Sequence, residues 1–571
     1  MNDIARSRIR LLSIAFLCVC LLIIARLYNL QVMKGDLYAA RADRQYLQSG
    51  HDYFDRGSIF FTEADGDTVP AASLRTGFIV AMTPKLVEEP DTAFAALSRH
   101  IEVDGDRFEE AVSRVDDPYE ELARRIPQKE ADAIAAEKIP GIRVFRERWR
   151  FYPGNKLAAH ALGFVAYGDD GLSKVGRYGL ERFYEETLRR NNDSVYVNFF
   201  AELFSGVQAA VSEDASLEGD VVTWIEPTVQ LQLEQELEQV NNTWGSDYSG
   251  GIIMDPKTGA IYALGASPSF DPNQFQDAEG ARVFANYLVE NVYEMGSIIK
   301  PLTIAAGLDA GVITPESTYF DSGTLTLNSR TISNFDGKGR GTASMQTVLN
   351  QSLNTGVAHV VRLMGRGEFA KYFKAFGLGE ETGVDLPNET RGLVANLSSP
   401  RDIEYATASF GQGIALTPME TVRALAVLGN GGKLVSPHIG KEIRFRMGGK
   451  KEINPGVDVQ VLKPETSEAI TRMLVNTVDT ALLNGKAKME RFSIAAKTGT
   501  AQVARENGRG YYDDRYLHSF FGYFPAYEPR FIIFLYTYHP KGVQYASETL
   551  TLPFMDLAKF LINYYQIPPD R

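Results

Sequence analysis

With 571 residues the chain is too long for one ordinary core, and 44% hydrophobic and 23% charged residues are the proportions of a folded globular protein rather than a disordered one. A net charge of -13, with no basic run to neutralise phosphates, argues against a nucleic-acid partner. Only two cysteines occur, Cys18 and Cys20, close together near the N-terminus, so the rest of the chain folds without disulfides, and cysteine and redox catalysis are excluded there.

Those two cysteines lie inside the first element. Arg6, Arg8 and Arg10 precede an apolar run from Leu11 to Ala25 that ends at Arg26. The run is shorter than the roughly 18 to 20 residues of a comfortable span, which leaves a cleaved signal peptide as the alternative. No small-x-small site follows, however, and "RLYNLQV" keeps apolar residues at helical spacing behind an Arg26 that can snorkel. Residues 1–30 are therefore expected to be a cytoplasmic tail and an uncleaved single-pass transmembrane helix. Its positive end faces inwards, and the bulk of the protein lies outside the cytoplasmic (inner) membrane.

From 31 to 218 the pattern is that of a strand-built platform with a small helical insertion. "GSIFF" and "GFIVAM" read as strands, "DTAFAALSRHI" and "RFEEAVSRV" as helices with apolar residues three and four apart, and "IRVFRERWRFYP" as an extended, alternating stretch. No catalytic constellation is visible here.

A second domain starts near 219, where "GDVVTWIEPTVQLQLEQELEQV" passes from a strand into an amphipathic helix with Pro227 early in it. "GGIIMD" and "AIYALGAS" follow as apolar strands joined by "PKTG". Pro256 and Gly259 between two such runs are hairpin-turn chemistry, so Lys257-Thr258-Gly259 reads as a turn. The same triplet recurs at Lys497-Thr498-Gly499 in a different setting. "FSIAAKTGTAQ" reads as a buried strand whose polar end, continuing to Thr500, opens on a cleft, and Gly499 leaves room for a substrate backbone to pair with the strand.

Between the two triplets lie a nucleophile and a base. In "YEMGSIIKPLTIAAG", Ser297 and Lys300 are three apart and share a helix face. A lysine that is buried near another cation has its pKa lowered and can take the serine proton, and Lys497 is a candidate for that cation. In "VLNQSLNTGVAHVV", Ser352 and Asn354 present a hydroxyl and an amide from a loop between helical segments. In order, Ser297-x-x-Lys300, Ser352-x-Asn354 and Lys497-Thr498-Gly499 form the three-part set of penicillin-binding proteins and class A β-lactamases. "NGGK" at Asn430 to Lys433 lacks the spacing of a phosphate loop, and the seven histidines, His160, His359 and His518 among them, lack metal-ligand spacing, so neither a cofactor nor a metal is expected.

The chain resembles the class B penicillin-binding proteins, membrane-anchored peptidoglycan D,D-transpeptidases, over nearly its whole length. "ARLYNLQV", "DRGSI", "YPGNKLAAHALGFV" and "GRYGLE" are similar to the family's anchor exit and platform, and "SFGQGIALTPMETVRALAVLGNGG" and "HSFFGYFPAYEPRF" to blocks of its catalytic domain. Met295 stands where the family usually has proline, and "FFTEADGD" replaces its usual turn after "RGSI". The resemblance implies an α+β protein with a transpeptidase domain at 219–571, an antiparallel sheet packed between helices. It implies catalytic roles for Ser297, Lys300, Ser352, Asn354 and Lys497, and substrate binding by Thr498, Gly499 and Thr500. Peptidoglycan stem peptides and β-lactams are the implied ligands, and the membrane and a multi-spanning glycan polymerase with division or elongation proteins the implied partners, division being favoured. The alternatives are a β-lactam-binding sensor, or a β-lactamase-like hydrolase needing a deacylating carboxylate such as Glu380, Glu381 or Glu389.

Overall fold

The computed structural model describes residues 54–169, 171, 173–190, 218–278, 280–454, 456, 458–505 and 510–571. The expected anchor lies outside the described residues, and among them no helix is long and apolar enough to cross a membrane. The described chain forms two compact units that do not follow chain order: Gly77–Arg148 makes the smaller one, while Arg56–Thr76, Trp149–Arg190 and residues 218–571 belong to the larger.

The smaller unit is the helical insertion with its strands. The end of strand Thr68–Met82 pairs antiparallel with Glu120–Ile126, matching Phe78 to Ile126 and Met82 to Glu120. Helices Pro90–Leu97, Gly105–Ser113 and Gln128–Glu137 contribute Leu97, Phe108 and Ile134 to a core with Val80, Met82 and Leu122. Asp104 starts the second helix by accepting from the N–H groups of Asp106 and Arg107, which would otherwise lack partners.

In the larger unit, helix α1 (Pro227–Trp244) opens with Pro227 in its first turn, has the Glu226 carboxylate accepting from Val229 N–H, and stops at Gly245 in the left-handed region. Strands β1 (Tyr248–Met254) and β2 (Ile261–Ser267) form the expected hairpin. Then come α2 (Lys300–Asp309), α3 (Met345–Asn350) and α4 (Asn354–Met364). Strands β3 (Ala495–Ala504), β4 (Tyr511–Phe524) and β5 (Phe531–Tyr538) and helix α5 (Thr551–Tyr564) follow. The five strands make one antiparallel sheet in the order β3-β4-β5-β1-β2, leaving β3 as an edge.

Alternation along these strands explains their uninterrupted apolar sequences. Ile253, Phe520, Ile533 and Leu535 pack with Val229, Leu233 and Leu237 of α1 and Phe554, Leu557 and Leu561 of α5. Their neighbours Ile252, Phe521 and Phe534 face the opposite core, which includes Ile298 and Leu302. A sheet covered by helices on both faces has no solvent side to be polar. Position on an edge, by contrast, leaves β3 with backbone groups that no strand of the sheet satisfies on its outer side.

Candidate active site

Ser297 stands in a single tight turn, Gly296–Ile299, that runs straight into α2. Gly296 makes that turn possible. Its φ is +67°, its N–H donates to the Gly411 carbonyl at 3.2 Å, and a Cβ on it would lie 2.8 Å from the Thr500 carbonyl. Fully buried Ile298, Ile299 and Leu302 lock the turn into the core, while Ser297 stays partly exposed. Among the described residues its hydroxyl makes no hydrogen bond. Backbone N–H groups in a first turn have no acceptor within the helix, and among the described residues the one on Ser297 makes no backbone hydrogen bond.

One turn later Lys300 is fully buried, with its Nζ donating to both the carbonyl and, at 3.0 Å, the hydroxyl of Ser352. Burial, and then the charge of nearby Lys497, hold its ammonium well below the usual lysine range. Lys497 is itself buried, its Nζ donating to the Thr498 carbonyl at 2.9 Å, and burial lowers it to about 8. Among the described residues neither lysine has a carboxylate within ion-pairing distance. Two like charges desolvated together favour one neutral amine, and the more deeply shifted Lys300 is the one suited to accept a proton from serine.

Ser352 occupies the gap between α3 and α4 with φ +54°, a left-handed conformation costing a serine about 1–3 kcal/mol. That conformation presents both its carbonyl and its hydroxyl to Lys300. Asn354 begins α4, and its amide donates to the Ser333 carbonyl at 2.8 Å. Two residues on, Phe335 meets Tyr545 edge to face with ring centres 6.1 Å apart, and both rings are exposed.

On β3, Lys497, Gly499 and Ala501 are buried while Thr498, Thr500 and Gln502 are partly exposed, as alternation on an edge strand requires. Gly499 meets a packing requirement that the sequence does not show. A Cβ there would strike the Ser519 hydroxyl and lie 2.8 Å from the Met295 carbonyl, so glycine admits the nucleophile's turn on the buried side of the strand. Ser519 bonds that same Met295 carbonyl at 2.8 Å, fixing the turn against the sheet. The Thr500 hydroxyl accepts from the N–H of Ala546 at 3.0 Å.

The other triplet is the β1–β2 turn. Gly259 has φ +83°, and half-exposed Lys257 pairs with exposed Glu528 at 2.7 Å. Sequence reasoning missed Gly411, Ser333, Ser519 and Ala546, which bond Gly296, Asn354, Met295 and Thr500 and so hold the site residues or the turn that leads to Ser297. For Gly411 and Ser519 the signal was present, since "SFGQG" and "HSFF" stand out as blocks, but a block does not say which atom it holds; Ser333 and Ala546 lie in neither.

Serine, buried lysine, a second hydroxyl and a cationic edge strand are together the equipment of a serine acyl-transfer enzyme. Comparison with known proteins makes the class specific. Residues 250–556 match the penicillin binding protein transpeptidase domain and residues 54–205 the penicillin-binding protein dimerisation domain. The chain belongs to the penicillin-binding proteins, in the class B arrangement of these two domains. It is 26% identical over 97% of its length to stage V sporulation protein D of Bacillus subtilis, covering 85% of that protein. It is 25% identical over 97% of its length to peptidoglycan D,D-transpeptidase FtsI of Escherichia coli, covering 92% of it. Among solved structures, penicillin-binding protein 2X of Streptococcus thermophilus aligns with a TM-score of 0.73 at 19% identity, over 90% of this chain and 81% of that one. Penicillin-binding protein 3 of Mycobacterium tuberculosis, complexed with aztreonam, aligns with a TM-score of 0.68 at 22% identity, over 90% and 97%. Those two likenesses concern the fold.

Proposed function

We propose that the protein is a peptidoglycan D,D-transpeptidase that crosslinks stem peptides through an acyl-enzyme on Ser297. Neutral Lys300 takes the proton of Ser297 as its oxygen attacks the carbonyl of the penultimate D-alanine. The N–H groups of Ser297 and Thr500 receive the oxyanion, each donor contributing on the order of 3 kcal/mol. Ser352, bonded to Lys300 and flanked by Asn354, passes the proton to the departing D-alanine. Charged Lys497 with the hydroxyls of Thr498 and Thr500 holds the terminal carboxylate, and Gly499 keeps strand and nucleophile in register. An amine from a neighbouring strand then attacks the ester, forming the crosslink and freeing Ser297. The observation that carries this reading is the Lys300–Ser352 contact beside a second buried lysine.

A hydrolase of the same fold needs a carboxylate to activate water. Of the three candidates, Glu389 is occupied by the N–H groups of Thr382 and Gly383, and Glu381 by Arg391, within one loop, so two of the three are already engaged by protein groups. A β-lactam sensor would use the same serine without turning over an amine. Labelled β-lactam should add one equivalent of mass to the protein and none to Ser297→Ala; label retained by the variant at the wild-type rate would refute the assignment of the nucleophile.

The chain acts at the cytoplasmic membrane, held by the apolar segment at Leu11 to Ala25 and working beside a multi-spanning glycan polymerase. A role in division is supported by the resemblance to division-type relatives. A tagged copy should gather at the division site in growing cells, and uniform placement along the side wall would assign it to elongation instead.

A further inference from the structure

His518 takes no part in the chemistry above, yet it lies directly across from Thr500 in the β3–β4 pairing and is fully buried. Its Nε2 is 3.0 Å from the Gln544 carbonyl and its Nδ1 is 2.9 Å from the Thr549 hydroxyl. A carbonyl only accepts, so Nε2 carries the proton and Nδ1 is left to accept from the hydroxyl. Burial, only partly opposed by the Gln544 carbonyl, holds the imidazolium down at about 4, which keeps this neutral tautomer in place.

The two contacts bracket the segment from Gln544 to Thr549, and Ala546 lies between them. Its N–H occupies a lone pair of the Thr500 hydroxyl at 3.0 Å. A hydroxyl has one proton and two lone pairs; with this N–H accepted, the Thr500 proton is left to donate outward, towards the place assigned to the substrate's carboxylate.

We propose that His518 is a positioning residue for carboxylate recognition: by holding Gln544 and Thr549 it keeps the Ala546 N–H on Thr500 and so keeps Thr500 a donor to the terminal carboxylate of the substrate. The proposal rests on the transpeptidase reading. A histidine that only filled the core would, when lost, lower stability and slow every substrate alike.

The test compares thioester donors that differ only at the terminus, one ending in a free carboxylate and the other in a carboxamide, with thiol release followed in full-length protein. His518→Ala should lower kcat/KM for the carboxylate donor about tenfold, mainly through KM, as expected for a misdirected bond to a charged group. The carboxamide donor should lose less than about twofold. In His518→Gln, whose amide can still donate to the Gln544 carbonyl, much of the discrimination should return. In a Thr500→Val background the same His518→Ala change should cost less than about twofold, because the residue through which it acts is gone. Equal losses on both donors, additive effects in the double variant, or wild-type discrimination in His518→Ala would each overturn the proposal. Labelled Ser297→Ala would instead overturn the underlying reading and leave the donor comparison unexplained.

Discussion

Two groups of buried charge in the larger unit are built on opposite terms. Around Glu181, a fully buried carboxylate receives Arg56 Nε at 2.6 Å and Arg150 Nε at 2.5 Å, while Arg56 also reaches Glu185 at 2.7 Å and Arg150 the Gly57 carbonyl at 2.7 Å. Burial by itself would raise the Glu181 carboxyl, but the charges of Arg150 and Arg56 outweigh it and hold the group below its ordinary range. At Lys300 and Lys497 burial meets no opposing carboxylate among the described residues, and both ammonium groups are pushed down. Compensated charge stays charged and ties distant segments together; uncompensated charge is what the proposed mechanism uses as a reagent. A buried ion is thus informative about function only once its partners are known.

The sharpest way to break this contrast is Lys300→Met, which keeps the length of the side chain without a charge to desolvate. Acylation by β-lactam should slow roughly 10³-fold, while the melting temperature stays level or rises. A clear fall in melting temperature would show that Lys300 is structural, like Arg56. The reverse experiment is Glu181→Gln, which leaves two buried guanidiniums facing a neutral amide and should cost about 3–5 kcal/mol of stability. Thermal unfolding in detergent should show that loss, with acylation per folded molecule changing less than about twofold; normal stability with poor acylation would erase the distinction.

A smaller effect sharpens the contrast through pH. In the proposed mechanism Lys300 acts without its proton and Lys497 with one, so acylation at low donor concentration should rise as Lys300 deprotonates, well below ordinary lysine. It should then fall about tenfold per pH unit above about 8, as Lys497 loses its charge. The same shifts carry a stability penalty that is full below the folded values and fades as pH rises towards that of unfolded lysine near 10.4, since in that interval the unfolded chain holds the extra protons. In Lys497→Met the alkaline fall should vanish; an unchanged fall would assign it to another group.

The sequence by itself determined whatever depends on local order. The 3.6 and 2.0 periods marked α1, the β1–β2 hairpin and β3, and proline with glycine marked the first Lys-Thr-Gly as a turn, because these signals are carried by neighbours in the chain. The ordered motifs singled out Ser297, Lys300, Ser352, Asn354 and Lys497 as candidates before any distance was known. What required tertiary structure were contacts between residues far apart in the chain. Lys300 and Ser352 are 52 residues apart, Arg56 and Glu181 are 125, and Ser519 and Met295 are 224. Gly499 was recognisable as a place for close approach, but only the fold shows that the Met295 carbonyl is what approaches it. His518 looked like one of seven unremarkable histidines until β4 set it opposite Thr500. Periodicity says which face a side chain takes, but the charge, proton and hydrogen-bond partners it meets there are set by chain segments that no local pattern encodes.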